Sequence, residues 1–574
     1  MEYLNVDLTV NIVGYCDVID SMRFAATSKR MYYLVHEYSR IIGPQLVASR
    51  DNSDDDDDGD GKMVLEETSL PSVYVKTLRK LRTKPNLALA FNTSADKNLV
   101  QDLRTNLPSD AVVLGVEAPS IQANCEGTID SDANAALMLG SFVPDRTQLL
   151  PFLSDDCNVQ TVVNSLRDAT PAGQQGPDAN YWKVFIINVC GSGYYSAEPF
   201  VAGLQAEFPK AAIVGGICEN GYVSSWEFPI PTNLEDMTLR QLQTQYNKLS
   251  TANKDSAAPT ATAAAFDPTS ASKDALVAEI RRICTDSKRR YVVRNVDDGI
   301  FGLAFGGDVP VRSIVSRGVN SVTGSGTVEG IPSRWYVDST QYVQPTDDEY
   351  PFRGDPNLLH PIHFIETLRD AETGQSVGAT SLFAKLGGRP EFVGIRRSGA
   401  DGYELHPINP FSFQLDCFIL MTDGSDEQAV GFDDANLDFF SLDASACNTH
   451  LEQTLSRLGE ATKDEVLLGG IMFSCGGRGP SRNSMLGEKM ADASRFKKQF
   501  PNVPCLGYYA GGEIGPVAMV GNKNVFMEGK AAVQGFTVVF ALFIVPVVEP
   551  GSTGIDDSQD NIDAFLRRRG IVTE

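Results

Sequence analysis

The chain has little from which to build a metal or disulfide site. Its 574 residues hold ten cysteines and five histidines. No two cysteines stand at a C-x-x-C spacing, which argues against a cysteine-built zinc site. So few in so long a chain do not make a disulfide framework. His360 and His363 are three apart, but Pro361 between them keeps them off one helix face. No metal and no cofactor is expected, and thiols scattered through apolar stretches suit a reducing compartment. A basic segment followed by an apolar one is missing at the N-terminus, so no signal peptide is expected. The longest apolar run, "GFTVVFALFIVPVV", is shorter than the roughly 20 residues of a spanning helix. Its β-branched and aromatic content reads as a strand buried on both faces. Basic excess is lacking too: the formal net charge is −25. A field of that sign repels nucleic acid and anionic lipid, although much of it is local, at Asp54 to Asp58. The clusters Lys288-Arg289-Arg290 and Arg567-Arg568-Arg569 are short and read as solvated surface. The expectation is a soluble protein of the cytoplasm, with the nucleus also open to it, and no membrane or nucleic-acid partner.

What is present has an order. Residues 1–48 predict three short helices. Leu8, Ile12 and Tyr15 share one face of the first. Met22 and Phe24 belong to a second, capped by Asp20 or Ser21, and Met31 and Leu34 to a third. Such a unit buries too little surface to stand alone. It is either a helical cap on the body or a docking module completed by a partner. Residues 49–84 read as an acidic disordered linker ending in a short helix. A first half is expected over 85–345, with a surface insertion at 232–290 that is low in complexity between two helical stretches. The second half is expected over 346–548, and a polar tail over 549–574. Strands such as "LALAF", "AVVLGV" and "VFIINV" alternate with helices, which predicts an α/β (α+β) body with mixed sheets.

The two halves echo each other. "KVFIINVCGSGYYSAEPFVAGLQAEFPKAAIVGGICENG" runs from an apolar strand into Cys190 and glycines, then a helix closed by Phe-Pro, then a second strand. "LLGGIMFSCGGRGPSRNSMLGEKMADASRFKKQFPNVPCLGYYAGGEIGP" repeats that order from Leu467 to Pro516. The pairing sets Cys190 against Cys475, and Gly215-Gly216 with Glu219 against Gly511-Gly512 with Glu513. It predicts a duplicated strand–loop–helix–strand unit.

"GGIMFSCGGRG" and "FPNVPCLGYYAGGEIGP" resemble the C-terminal half of a FIST domain, and "GIFGLAFGGDVPVRSIVSRGVNSVTGSGTVEG" resembles the end of its N-terminal half. "DLTVNIVGYCDVIDSMRFAATSKRMYYLV" resembles an F-box, although Asn5-Val6-Asp7 stands where a Leu-Pro opening is usual. The whole is similar to F-box–FIST proteins. The resemblance implies a three-helix F-box followed by a duplicated FIST body. It implies a substrate-recognition subunit of a cullin–RING ubiquitin ligase. Leu4, Leu8, Ile12, Met22, Met31 and Leu34 would meet the Skp adaptor, and the FIST body would hold a protein substrate. The resemblance also implies an alternative: FIST domains elsewhere accompany signalling modules and are thought to sense small, amino-acid-like ligands.

The Cys475 loop admits two readings. Glycines after a strand allow a tight turn into a helix. The same backbone amides can also cradle an anion. In that reading Cys475, Gly476, Gly477, Arg478, Gly479, Gly512 and Glu513 line a ligand site. Arg478 clamps a carboxylate and Glu513 takes an ammonium, unless the two only pin their loops together. Amide dipoles and Arg478 would depress the Cys475 pKa and make it more reactive than Cys417. No histidine lies near the loop in sequence, so no catalytic base is evident and no enzyme is expected. Arg312 and Arg317 read as surface charge, and Trp182 as core or rim.

Overall fold

The computed structural model describes most of residues 44–546. Residues 1–43, 51–72, 255–267, 338–359, 382–389, 409–417, 422–434, 522–529 and 547–574 lie outside that description, with some shorter loop segments. The six residues expected to meet an adaptor, the acidic run, the stretch between the halves, the tail and Cys417 fall there.

The protein is a mixed α/β structure built mainly of sheet. Two of its three six-stranded sheets face each other across the central core, to which the third also contributes Leu87, Phe91 and Leu114. One has the order Ala531–Gln534, Glu513–Pro516, Ala212–Ile217, Trp182–Cys190, Gly299–Gly307, Thr147–Ser154. The other runs Thr128–Asp130, Ile121–Cys125, Cys505–Ala510, Glu465–Cys475, Val538–Pro546, Val311–Ser316. In each, only the pair made by the third and fourth strands is parallel, and the four other pairs are antiparallel.

Strand alternation explains the layers. Val184 and Ile186 point inward to a core shared with Ile471, Phe473, Val539 and Phe543. Phe185 and Ile187 point outward, onto the helices Val159–Ala169 and Ala197–Glu207. On the far side Met472 and Phe540 meet the helices Ala444–Ala461 and Ala491–Gln499. The order is helix, sheet, sheet, helix. Tyr508 ties the sheets by donating its hydroxyl to Asn188 Oδ1 at 2.9 Å inside the core. The apolar run Val538–Pro546 is a strand buried on both faces, as its composition requires.

The expected duplication is present, with one correction. Ile187 pairs with Gly215 and Met472 with Gly507, each three residues before its cysteine. At both glycines a Cβ would collide with the carbonyl oxygen of that partner. Gly215 therefore matches Gly507, and the glycine pair at 511–512 has no counterpart at 215–216. The echo read from sequence was four residues out of register there. Both helices close alike: the Phe208 and Phe500 amides donate to Leu204 and Phe496.

Other boundaries also shift. Gln45–Arg50 is a strand paired with Ala135–Ser141, so residues 45–48 belong to the body and not to a helical module. Leu46 and Ala48 face the core, a signal too short to be read as a strand alone. Val311–Ser316, assigned to the first half, completes the second half's sheet. Within 232–290, the helices Leu239–Lys254 and Lys273–Thr285 pack through Leu242, Tyr246, Leu276 and Ile280. Trp182 is core, its indole N–H donating to Leu166 and Thr170.

Candidate functional site: a buried arginine beside the Cys475 loop

Cys475 ends the strand Glu465–Cys475, and Gly476–Arg478 turns away in a short 3-10 segment. Its amide donates to Thr537 O at 3.0 Å, which fixes the loop against the start of Val538–Pro546. Cys475 is half-buried, while Gly476 and Gly477 are exposed. Around the thiol lie Arg317 after Val311–Ser316, Glu513, and Phe536 just before Val538–Pro546.

Arg478 does not face a ligand. It is 0% exposed, and its fork holds the Asp492 carboxylate through Nε at 3.0 Å and Nη2 at 2.7 Å. Nη1 donates to the carbonyls of Arg317 and Phe536. Burial alone would lower the Arg478 pKa, but the charge and hydrogen bonds of Asp492 outweigh it and raise it. The expected carboxylate clamp is thus filled from within, and it staples three loops together. Gly479 and Gly512 are buried and packed. A Cβ on the first would enter the Tyr509 ring, and one on the second would come within 2.8 Å of Ile217. Both are structural glycines.

Glu513 is 0% exposed and accepts from Thr537 N at 3.1 Å and Thr537 Oγ1 at 2.8 Å, both on Oε2. Oε1 has no hydrogen-bond partner. The Cys475 thiol lies beside this carboxyl, and each shifts the other's titration, but the contact falls short of hydrogen-bond geometry. Burial pushes Glu513 up to about 7 against the opposing pull of Thr537 and Arg478. Burial, and then the Glu513 charge, raise the Cys475 pKa as well, although the amides of Phe536 and Gly477 act the other way. The expected depression of the thiol pKa is reversed: desolvation outweighs the dipoles. A carboxyl base does stand beside the thiol, which sequence proximity did not show, but the thiol stays protonated at neutral pH.

The residue that sequence reasoning missed is Arg317. It was read as surface charge and is 4% exposed. Its Nη2 reaches Gln534 Oε1 at 3.4 Å, and its guanidinium lies 4.9 Å from the centre of the Phe392 ring. Nε and Nη1 are buried without a hydrogen-bond partner. Burial lowers its pKa to about 10, against the pull of Glu513, so it remains charged. Arg312 differs: half-exposed, it makes a two-pronged pair with Glu465 at 2.6 and 2.9 Å. Over the site sits Phe536, 39% exposed, with φ +60. Left-handed backbone is unusual for an aromatic residue. Its ring lies against the place a Gly477 side chain would take.

Cys190 holds the equivalent place in the first half and is closed. Its thiol is fully buried, faces the carbonyls of Val296 and Gly299, and has its pKa pushed up to about 12 by burial. Among the described residues no group of three or more His, Cys, Asp or Glu has the geometry for a metal ion. No helix among them is long and apolar enough to cross a membrane.

An uncharacterized protein of Mycobacterium tuberculosis is 34% identical over 110 residues, and one of Mycobacterium bovis is 32% identical over the same length. Each match covers 19% of this chain and 25% of the relative, so the chain spans about a quarter of the length of these relatives. No F-box or FIST N family matches. The FIST C domain model matches residues 433–516, the part that supplies Cys475, Arg478, Asp492 and Glu513 but not Arg317 or Phe536; residues 433–516 are a FIST C domain.

Proposed function

We propose that the protein is a ligand-sensing module without catalytic activity, which binds a small anion between Arg317, Glu513 and the Cys475 loop. One observation carries the reading: a charged, buried guanidinium with two unpartnered nitrogens. Arg478 and Asp492 neutralise each other. Glu513, pushed up to about 7, offsets only part of the Arg317 charge at neutral pH. An uncompensated buried charge is costly, and an anion entering past Gly476 and Gly477 relieves it. Ligand sensing also fits the roles associated with FIST C domains.

Two alkylators with the same reacting carbon test this. Iodoacetate carries a carboxylate where iodoacetamide carries an amide. Cys157 is also half-buried but sits among Asp155, Asp156 and Asp298, and serves as an internal reference. The iodoacetate-to-iodoacetamide rate ratio should be about tenfold higher at Cys475, the scale of one partly screened charge. Arg317→Met should abolish that preference. Equal ratios at the two cysteines would end the anion reading.

A second reading, the Skp-binding adaptor of a ubiquitin ligase that recruits a protein substrate, rests on the N-terminal sequence pattern. It requires that removing residues 1–43 abolish capture of Skp and cullin subunits from cells. Capture by the truncated chain would exclude it.

A further inference from the structure

The duplicated fold contains its own likeness of a liganded cradle. In the first half the Cys190 loop, Gly191–Ser196, already holds a carboxylate. The Ser192 amide donates to Asp298 Oδ1 at 2.7 Å, and the Ser192 hydroxyl lies 2.8 and 3.0 Å from its two oxygens. The amides of Gly193 and Gly299 also favour the Asp298 carboxylate, and its pKa is lowered, by Ser192 first.

Strand register carries this arrangement onto the second half. Ile300 pairs with Val189, and Val538 with Ser474. Each partner immediately precedes its cysteine, so Asp298 corresponds to Phe536, Gly299 to Thr537, and Ser192 to Gly477. The second half therefore has the loop but no aspartate at the matching place. It has an exposed phenylalanine there, glycine in place of the serine, and behind it the Arg317 guanidinium, two of whose nitrogens have no hydrogen-bond partner. The position that matches Arg317 in the first half is Asp155, since Ser316 pairs with Val538 as Ser154 pairs with Ile300. The two loops thus differ in one consistent direction. One supplies the anion; the other supplies a buried cation.

Building on the anion-binding reading, we infer that the ligand of the second half is a small carboxylate. Its carboxylate takes over the Cys475 loop the place that the Asp298 side chain takes over the Cys190 loop, with Arg317 as its counter-ion. Phe536 covers it from the solvent side. A second negative charge beside Glu513 disfavours the ionised form of that carboxyl. Binding is therefore accompanied by proton uptake at Glu513, and affinity rises as the pH falls through neutrality.

The test uses the full chain and sodium acetate as the probe. Alkylation of Cys475 by iodoacetamide is followed by peptide mass spectrometry, with acetate or with chloride at equal ionic strength. Acetate should slow the reaction at least threefold relative to chloride, more at pH 6.5 than at pH 8, and not in Arg317→Met. Phe536→Asp, which restores the aspartate of the first half and suits left-handed backbone better than phenylalanine, should react slowly without acetate and show no further slowing. Phe536→Asn should behave as the parent does. If iodoacetate is still preferred at Cys475 but acetate gives no protection, the carboxylate seat is wrong while anion binding stands. Loss of both effects removes both. A Phe536→Asp chain protected by acetate like the parent would overturn the correspondence with Asp298.

Discussion

At the scale of single residues the site is a conflict between burial and charge. Arg317 keeps its proton but lacks partners for two nitrogens, and buried donors left unmade cost about 1–3 kcal/mol. Its contacts with Gln534 and the Phe392 face return part of this. Arg317→Met keeps the length and apolar stem and removes the charge. We expect this variant to be more stable by about 1–2 kcal/mol, read as a higher urea midpoint with unchanged slope, while it loses the iodoacetate preference. A residue kept for binding at the expense of stability has that signature; a destabilised Met variant would mean that Arg317 is structural. Only part of this was legible. Cys475, Gly476 and Gly477 announced themselves because a strand running into glycines is a local pattern. Glu513 was found, but its role was not. Arg317 was missed because an arginine after a strand is exposed by default, and its burial under the Phe392 ring, 75 residues on, is a tertiary contact. Arg478 misled for the opposite reason: its partner Asp492 lies 14 residues on, beyond any local motif.

At the scale of elements, the cysteine strand and its parallel neighbour are held close by one glycine in each half. A Cβ at Gly215 or Gly507 would run into the carbonyl oxygen of Ile187 or Met472. The backbone is fixed in a sheet on both sides, so the neighbour cannot yield cheaply. Gly507→Ala should cost about 3 kcal/mol or more, and Gly215→Ala a similar amount. Gly470→Ala, whose Cβ would meet the flexible Leu542 side chain at 2.9 Å, should cost less. Chemical denaturation of the three variants gives the ranking, and a mild Gly507→Ala would mean that the two strands can part. The strands themselves were readable, since long apolar runs with β-branched residues have few alternatives. Their register was not. The sequence offers several glycines at similar distances from each cysteine, and only the pairing tells which one lies against the neighbouring backbone.

At the scale of the molecule, the halves are not separable bodies. The first sheet takes Glu513–Pro516 and Ala531–Gln534 from the second half, and the second sheet takes Ile121–Cys125 and Thr128–Asp130 from the first. The exchange is reciprocal, and it leaves each parallel pair with an open edge if the other half is removed. It also positions the site: Glu513 reaches Cys475 because its strand crosses to pair with Gly215 and Gly216. Duplication could be inferred from an order of motifs, but exchange could not, because the identity of a strand's partner is not written in the strand. The consequence is testable by dividing the chain between Asp308 and Val311. Residues 1–309 and 310–574 expressed separately should each be insoluble or lack a cooperative thermal transition. Co-expressed, they should assemble into one particle with a single transition, seen together by tryptophan fluorescence and by exposure of Cys475. A lone fragment that melts cooperatively would show that the crossing strands are dispensable. In that case Glu513 could not depend on the first half for its position, and a Cys475 loop in the isolated second half would keep its preference for iodoacetate.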